Sequence, residues 1–196
     1  MPRIAEARKP AEPSSPEQKE RYRRILRAAG LQGAEKGLER VQMHDVAKDA
    51  GVAIATLYRY FPSKTHLFTA LMVTQVDRLA EVTDVATPGT NPAEAVSDLL
   101  VGLAKEMRAR PLLAHAMLQS NLASVAQSGG AVTNRFEELI SHILGVDHPD
   151  EDQARLVRIV EAAWYGVLLA ALNHHITAEQ ADDDTRVMCQ RLLSDF

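Results

Sequence analysis

Between Asp45 and Lys64 the chain reads DVAKDAGVAIATLYRYFPSK, and its polar chemistry crowds into the second half of that run. Tyr58, Arg59 and Tyr60 set two phenols and a guanidinium side by side, with the Thr56 hydroxyl two residues earlier. Two tyrosines and an arginine facing solvent need a reason. Phenol hydroxyls and a guanidinium that grip phosphate oxygens and base edges would supply one.

Such a grip requires a rigid mount, and the flanking residues predict one. Gly51 suits a tight turn between two short helices, because glycine accepts a positive φ without a Cβ clash. Val46, Ala47, Val52, Leu57 and Phe61 form an inner face that holds the two helices at a steep angle. Ile54, Thr56, Tyr58, Arg59 and Tyr60 are then expected to look outward, on a helix placed to enter a major groove. Upstream, Ser15-Pro16-Glu17-Gln18 reads as a helix start, with Ser15 as cap and Pro16 in the first turn. That first helix should run to about Lys36 and stop at Gly37, with Tyr22, Ile25, Leu26 and Ala29 on its apolar face. Downstream, Ser63 caps a long fourth helix whose apolar positions Leu67, Phe68, Leu71, Met72, Val76 and Leu79 follow helical spacing.

Five further helices are expected: Asn91-Pro92 to about Arg108, Pro111 to about Ala126 with a break at Gly129-Gly130, Ala131 to Leu144, Pro149 to about His174, and Thr177 to about Leu193. No stretch sustains strand alternation, so the fold is read as all-α with about nine helices. Residues 1–14, with three prolines, are read as a disordered arm, 15–64 as a helix-turn-helix domain, and 65–196 as a helical ligand-binding and dimerisation domain.

The 196 residues are 46% hydrophobic and 24% charged, enough apolar material for a substantial core. No run approaches the length of a membrane span, and the charged N-terminus lacks the apolar region of a secretory signal, so a cytoplasmic location is expected. The lone Cys189 excludes an intramolecular disulfide and a multi-cysteine zinc site. Net charge is −4, but it is divided unevenly. Residues 1–64 carry 13 Lys/Arg against 8 Asp/Glu, a net of +5, and the remainder carries −9. A basic head on an acidic body is the asymmetry expected when only the head meets phosphate.

The segment resembles the DNA-binding domain of the TetR family, with its A-x-x-A-G-V turn and L-Y-x-Y-F recognition helix followed by Pro and Lys. Here these are Ala47, Ala50-Gly51-Val52, Leu57-Tyr58-Arg59-Tyr60-Phe61, Pro62 and Lys64. The resemblance implies a homodimer, two recognition helices on a palindromic operator, and a C-terminal domain that binds a small inducer. It implies phosphate contacts from Thr56 and Lys64, backbone and thymine contacts from Tyr58 and Tyr60, and a base contact from His44. Two places depart from the family. Helix 3 opens with Ala53, Ile54 and Ala55 instead of polar residues, so Ile54 can meet a thymine methyl but cannot donate a hydrogen bond. Gln42 stands where Ser or Thr usually caps helix 2. A narrower likeness is carried by VQMHDVA, ATLYRYFPSKTHL and RPLLAHAM, which look like actinobacterial repressors of steroid and cholesterol breakdown; these bind acyl-CoA steroid intermediates.

In the body, the long eighth helix with Trp164, Tyr165 and Leu168 suits plain core, a pocket wall or a dimer face. Its small residues, including Ala162, Gly166 and Ala170, permit close helix approach. An apolar cavity between helices 4 and 8 is expected, with candidate lining residues Met72, Leu103, Met107, Leu113, Met117, Leu118, Asn121, Phe136, Ile140 and Trp164. Methionines pack adaptably around an apolar guest, though they fill ordinary cores equally well. Asn121 or Gln119 would anchor polar groups, and Arg108 or Arg110 would meet an acyl-CoA's phosphates. With aromatics at 5%, aliphatic walls suit a sterol ring system better than a flat cationic dye. His174-His175 with Asp182, Asp183 and Asp184 invite a metal reading, but histidines favour helix C-termini through the dipole, and neither metal nor cofactor is expected. No nucleophile–base pair, phosphate loop or paired catalytic carboxylates stand out, which argues against an enzyme. The expected function is a ligand-responsive repressor, with helix 4 carrying the signal from Met72 to Lys64. A constitutive DNA binder, or an enzyme or carrier body with a DNA-binding head, stay open as alternatives.

Overall fold

The computed structural model describes residues 10–82, 91–128, 131–146 and 148–194. Among these it is all-α: α1 (Pro16–Arg40), α2 (Met43–Asp49), α3 (Ile54–Tyr60), α4 (Lys64–Val82), α5 (Pro92–Ala109), α6 (Pro111–Ser128), α7 (Ala131–Ile143), α8 (Glu151–Leu172) and α9 (Ala178–Leu192). The first nine residues of the expected arm and the Gly129-Gly130 break lie outside the described residues.

Local chemistry explains most boundaries. The Ser15 hydroxyl accepts from the Gln18 N–H, with Pro16 in the first turn of α1. Gly37 sits at φ 73° and ψ 166°. That conformation suits a residue without Cβ and breaks α1 where expected, before one more short turn to Arg40. Gly51 takes φ 63° between α2 and α3. The start of α8 is a correction. Expected to open at Pro149, it begins at Glu151, and Asp150 caps it in a capping box with Gln153, its carboxylate accepting from a backbone N–H of the first turn. The helix ends at Leu172, and His174 takes φ 59°. The His175 N–H donates to Ala170 O and the His174 N–H to Ala171 O, a Schellman closure. The histidine pair is thereby explained as a helix stop. Among the described residues no three His, Cys, Asp or Glu gather as a metal site would require.

One apolar core runs through residues of every helix. In the head, α1 packs on α2, and α2 on α3. In the body, α4 packs on α6 and α7, while α9 lies along α5 and α8. The α5–α9 seam carries ion pairs of Arg108 with Asp182 at 2.8 Å and of Arg186 with Asp98 at 2.7 Å. Head and body meet where α1 lies against α4 and α6. The approach is tight at Gly33, where an added Cβ would stand 2.6 Å from Phe68 Cε1 and 3.0 Å from Leu113 Cδ1.

Candidate nucleic-acid interface and ligand cleft

The candidate recognition element is α3, held by its inward residues. Leu57, Tyr60 and Phe61 are buried, and the Tyr22 ring of α1 meets Tyr60 edge-on at 5.7 Å and Phe61 at 4.8 Å. Tyr60 is a correction. It was expected to face outward, yet it is only 2% exposed. The reason is periodicity: residues three and four apart share a helix face, so Leu57 carries Tyr60 inward with it. Tyr60 acts on its neighbour instead. Its hydroxyl accepts from Arg59 Nη2 at 3.0 Å, and the Arg59 guanidinium lies 4.9 Å from its ring centre. A cation held over an aromatic face loses less freedom when it binds.

The solvent face of α3 is left with Tyr58, 47% exposed, and Arg59, while Thr56 and Ile54 are half-buried. Ile54 packs against the core cluster. Across the turn, Gln42 and His44 are both exposed at the start of α2. Gln42 is the N-cap residue, but its side chain makes no capping bond, so its amide stays available. The structure thus brings Gln42, His44, Tyr58 and Arg59 to solvent on the two helices of the motif.

Lys64 shows a bond that the sequence did not reveal. Its ammonium donates to Leu38 O at 3.0 Å and Glu39 O at 3.1 Å. Those carbonyls close α1 after the Gly37 break, and helix-end carbonyls attract cations. An ammonium has three protons, so one remains beyond these two bonds. A second unforeseen tie is the Ala11 N–H, which donates to Arg59 O at 3.0 Å and holds the segment before α1 against the end of α3. Gly37 hints at the first; the backbone amide of Ala11 leaves no signal in sequence.

In the body, a cleft of ≈ 590 Å³ opens between α4, α5 and α6. Four of the ten expected lining residues are there: Leu103, Met107, Leu113 and Met117. They form a buried floor, and the exposed side chains of Arg78, Glu81, Glu106 and Arg110 rim it. The charged rim was missed apart from Arg110. Arg108, the other candidate, is committed to Asp182. Met72 is half-buried, and Leu118, Asn121, Phe136, Ile140 and Trp164 are buried without lining this cleft. Gln119 is exposed. Phe136 stacks on Trp164 at 5.3 Å. Two of these buried groups are unpartnered: the Trp164 Nε1 donor and the Asn121 Oδ1 acceptor have no hydrogen bond. Unpaired polar atoms in a core are costly. On α7 and α8, burial raises the Glu161 carboxyl to about 7, Glu137 adds to the rise, and a hydrogen bond from Thr133 opposes it. Burial likewise lifts the Cys189 thiol to about 11, leaving it unreactive.

Leu168, weighed as a partner-facing residue, is buried within its own chain. Among the exposed residues of α8 and α9, mostly charged, are Ile159, Ala162, Gly166 and Val187, with Ile159 43% and Val187 56% exposed.

Comparison with known proteins extends these findings. A family model described as bacterial regulatory proteins, tetR family, matches residues 25–71. One described as a tetracyclin repressor-like C-terminal domain matches residues 89–192. The chain is 34% identical over 185 residues to the HTH-type transcriptional repressor KstR of Rhodococcus jostii (strain RHA1), covering 93% of this chain and 87% of that one. The repressor of the same name from Mycobacterium tuberculosis is 32% identical over 189 residues, covering 94% and 86%. A crystal structure of a TetR transcriptional regulator from Rhodococcus sp. RHA1 superposes with a TM-score of 0.82 at 40% identity, covering 90% of this chain and 98% of that one.

Proposed function

The chain belongs to the tetR family of bacterial regulatory proteins, and on that footing we propose that it is a ligand-responsive transcriptional repressor acting in the cytoplasm as a homodimer. The observation that carries the reading is the mounted α3 face. Tyr58 and Arg59 project from a helix whose opposite side is locked into an aromatic core. Residues 15–64 serve as the DNA-binding domain and 65–196 as the ligand-binding and dimerisation domain. Arg59, Tyr58 and His44 read base edges in a palindromic operator, and Thr56, Gln42 and the free proton of Lys64 hold phosphates. Two copies pair through the outer faces of α8 and α9, which sets their recognition helices about one DNA turn apart, ~34–36 Å.

The inducer is an apolar molecule with an anionic end, of the steroid acyl-CoA class. The cleft volume falls within the ~300–1,000 Å³ of ordinary ligand sites. Its floor is aliphatic, and Arg78 and Arg110 stand for phosphate at a rim they share with Glu81 and Glu106. Ligand acts by preferring one of two conformations. Leu113 lines the cleft and also touches the Gly33 region of α1, so α6 transmits a change in the cleft to the head alongside α4.

The reading is tested by selecting DNA from a random pool with the purified chain, then measuring release by steroids, steroid acyl-CoA thioesters and cationic dyes. The expected result is a palindromic consensus on which Arg59→Ala relaxes preference at particular base pairs by about 1–3 kcal/mol, with release by the thioesters. Release by dyes alone would reject the ligand class. No palindromic consensus would reject the operator reading.

A further inference from the structure

On the flank of the head, α1 and the turn after α2 enclose a second groove, of ≈ 420 Å³. Arg24, Arg27 and Leu31 of α1 form one wall, and Lys48, Asp49 and Gly51 the other. Leu31 is 67% exposed. The positions 24, 27 and 31 follow helical spacing, so the two guanidiniums and the leucine share a stripe. The Arg24 guanidinium reaches over the turn, with Nη1 3.2 Å from where a Cβ of Gly51 would stand. Among the described residues, Arg24, Arg27 and Lys48 form no ion pair. Asp49 is the one acid in the groove, and its Oδ2 accepts from the Gln32 amide at 2.5 Å. The groove therefore offers three cations, one already engaged carboxylate and a bare aliphatic anchor over a floor that includes buried Ala28 and Ala50.

We infer that this groove docks an acidic peptide segment of a partner protein, carrying one aromatic or aliphatic anchor among Asp and Glu residues. Charge complementarity selects the sign of the partner. The exposed leucine selects its kind. A DNA backbone would answer the three cations but has no apolar group to cover Leu31, whereas an acidic peptide with an anchor answers both. Place supports this as well. The groove lies at the closing end of α2, and Gln42 and His44 open the other end, about 10 Å along a seven-residue helix. A partner seated here would sit beside bound DNA without displacing it.

The probe is a fluorescein-labelled peptide about three helical turns long, rich in Asp and Glu with one central Phe, together with its Phe-to-Ser counterpart. Anisotropy titrations use the full chain, its Leu31→Ser and Arg27→Glu variants, and operator-like DNA selected as above. Both substitutions lie on exposed side chains, and matching thermal melts establish that each variant is folded. The expected result is micromolar binding, weakened about tenfold by either substitution and by loss of the Phe, while DNA affinity of Leu31→Ser stays unchanged. Equal binding of both peptides, or no effect of Leu31→Ser, would reduce the groove to unspecific charge and overturn the inference. No binding of the Phe peptide, or Arg27→Glu weakening DNA while peptide binding survives, would overturn it too, the latter assigning the cations to phosphate.

Discussion

Gly33→Ala should destabilise the joint between head and body, and its neighbour Gly30→Ala should do the reverse. The new Cβ at position 33 would stand 2.6 Å from Phe68 Cε1 and 3.0 Å from both Phe68 Cζ and Leu113 Cδ1. Carbon atoms settle near 3.5–4.0 Å, so the ring or α1 itself must retreat by about 1 Å. Phe68 is fully buried, so it has no solvent side to swing into. Overpacking of this kind costs roughly 1–3 kcal/mol. Exchanging a helical glycine for alanine returns up to about 1 kcal/mol, leaving a net loss of about 1–2 kcal/mol. For a chain of this size that lowers the melting temperature by roughly 2–8 °C. At Gly30 the nearest atom is Leu71 Cδ2 at 3.6 Å, an ordinary contact, so the propensity gain stands alone and the midpoint should rise. Thermal and urea melts at one protomer concentration decide the matter. Gly33→Ala should also weaken operator binding, because a displaced α1 carries the α2–α3 pair with it. A Gly33→Ala chain that melts at or above the parent would refute the reasoning, as would equal losses at both positions.

Three other outcomes are expected. Lys64→Ala should cost about 1–2 kcal/mol even without DNA, through the two bonds to Leu38 and Glu39, and should flatten the salt dependence of DNA binding by about one ion if the third proton meets a phosphate; an unchanged melt would sink the structural half. Glu161 has its folded pKa raised to about 7, first by burial, so its contribution is fully present below the ordinary carboxyl range and is lost as pH rises through 7. Denaturant midpoints of Glu161→Gln should therefore exceed the parent's at pH 8 and converge with them near pH 5, and parallel profiles would contradict the assignment. Ile159→Glu on the outer face of α8 should dissociate the proposed dimer in sedimentation while keeping the fold, since it would place a charge against the partner in that arrangement; a monomeric parent at micromolar concentration would remove the premise.

Much of the architecture was legible because it is local. Ser15, Asn91 and Thr177 cap their helices through side-chain bonds of short range, and Gly37, Gly51 and Gly145 take the positive φ that ends or turns them. The helix signals along the chain were enough to assign an all-α fold, and the Gly51 turn with the Leu57-to-Phe61 run was enough to place Tyr58 and Arg59 in solvent on α3. The misplacement of Tyr60 shows the limit. Periodicity from Leu57 carries Tyr60 to the inner face of α3, but the ring that meets it there, Tyr22, lies nearly forty residues away in sequence. The cleft is of the same kind. Its floor could be guessed from apolar spacing, but Arg78, Glu81 and Glu106 become its rim only because α4 and α5 both pack against α6 beside it. Lys64 on the carbonyls of α1, Ala11 on Arg59 and Gly33 under Phe68 are likewise long-range meetings. Sequence periodicity fixes which face of a helix is apolar, while the partner that covers each residue is decided by packing of the whole chain.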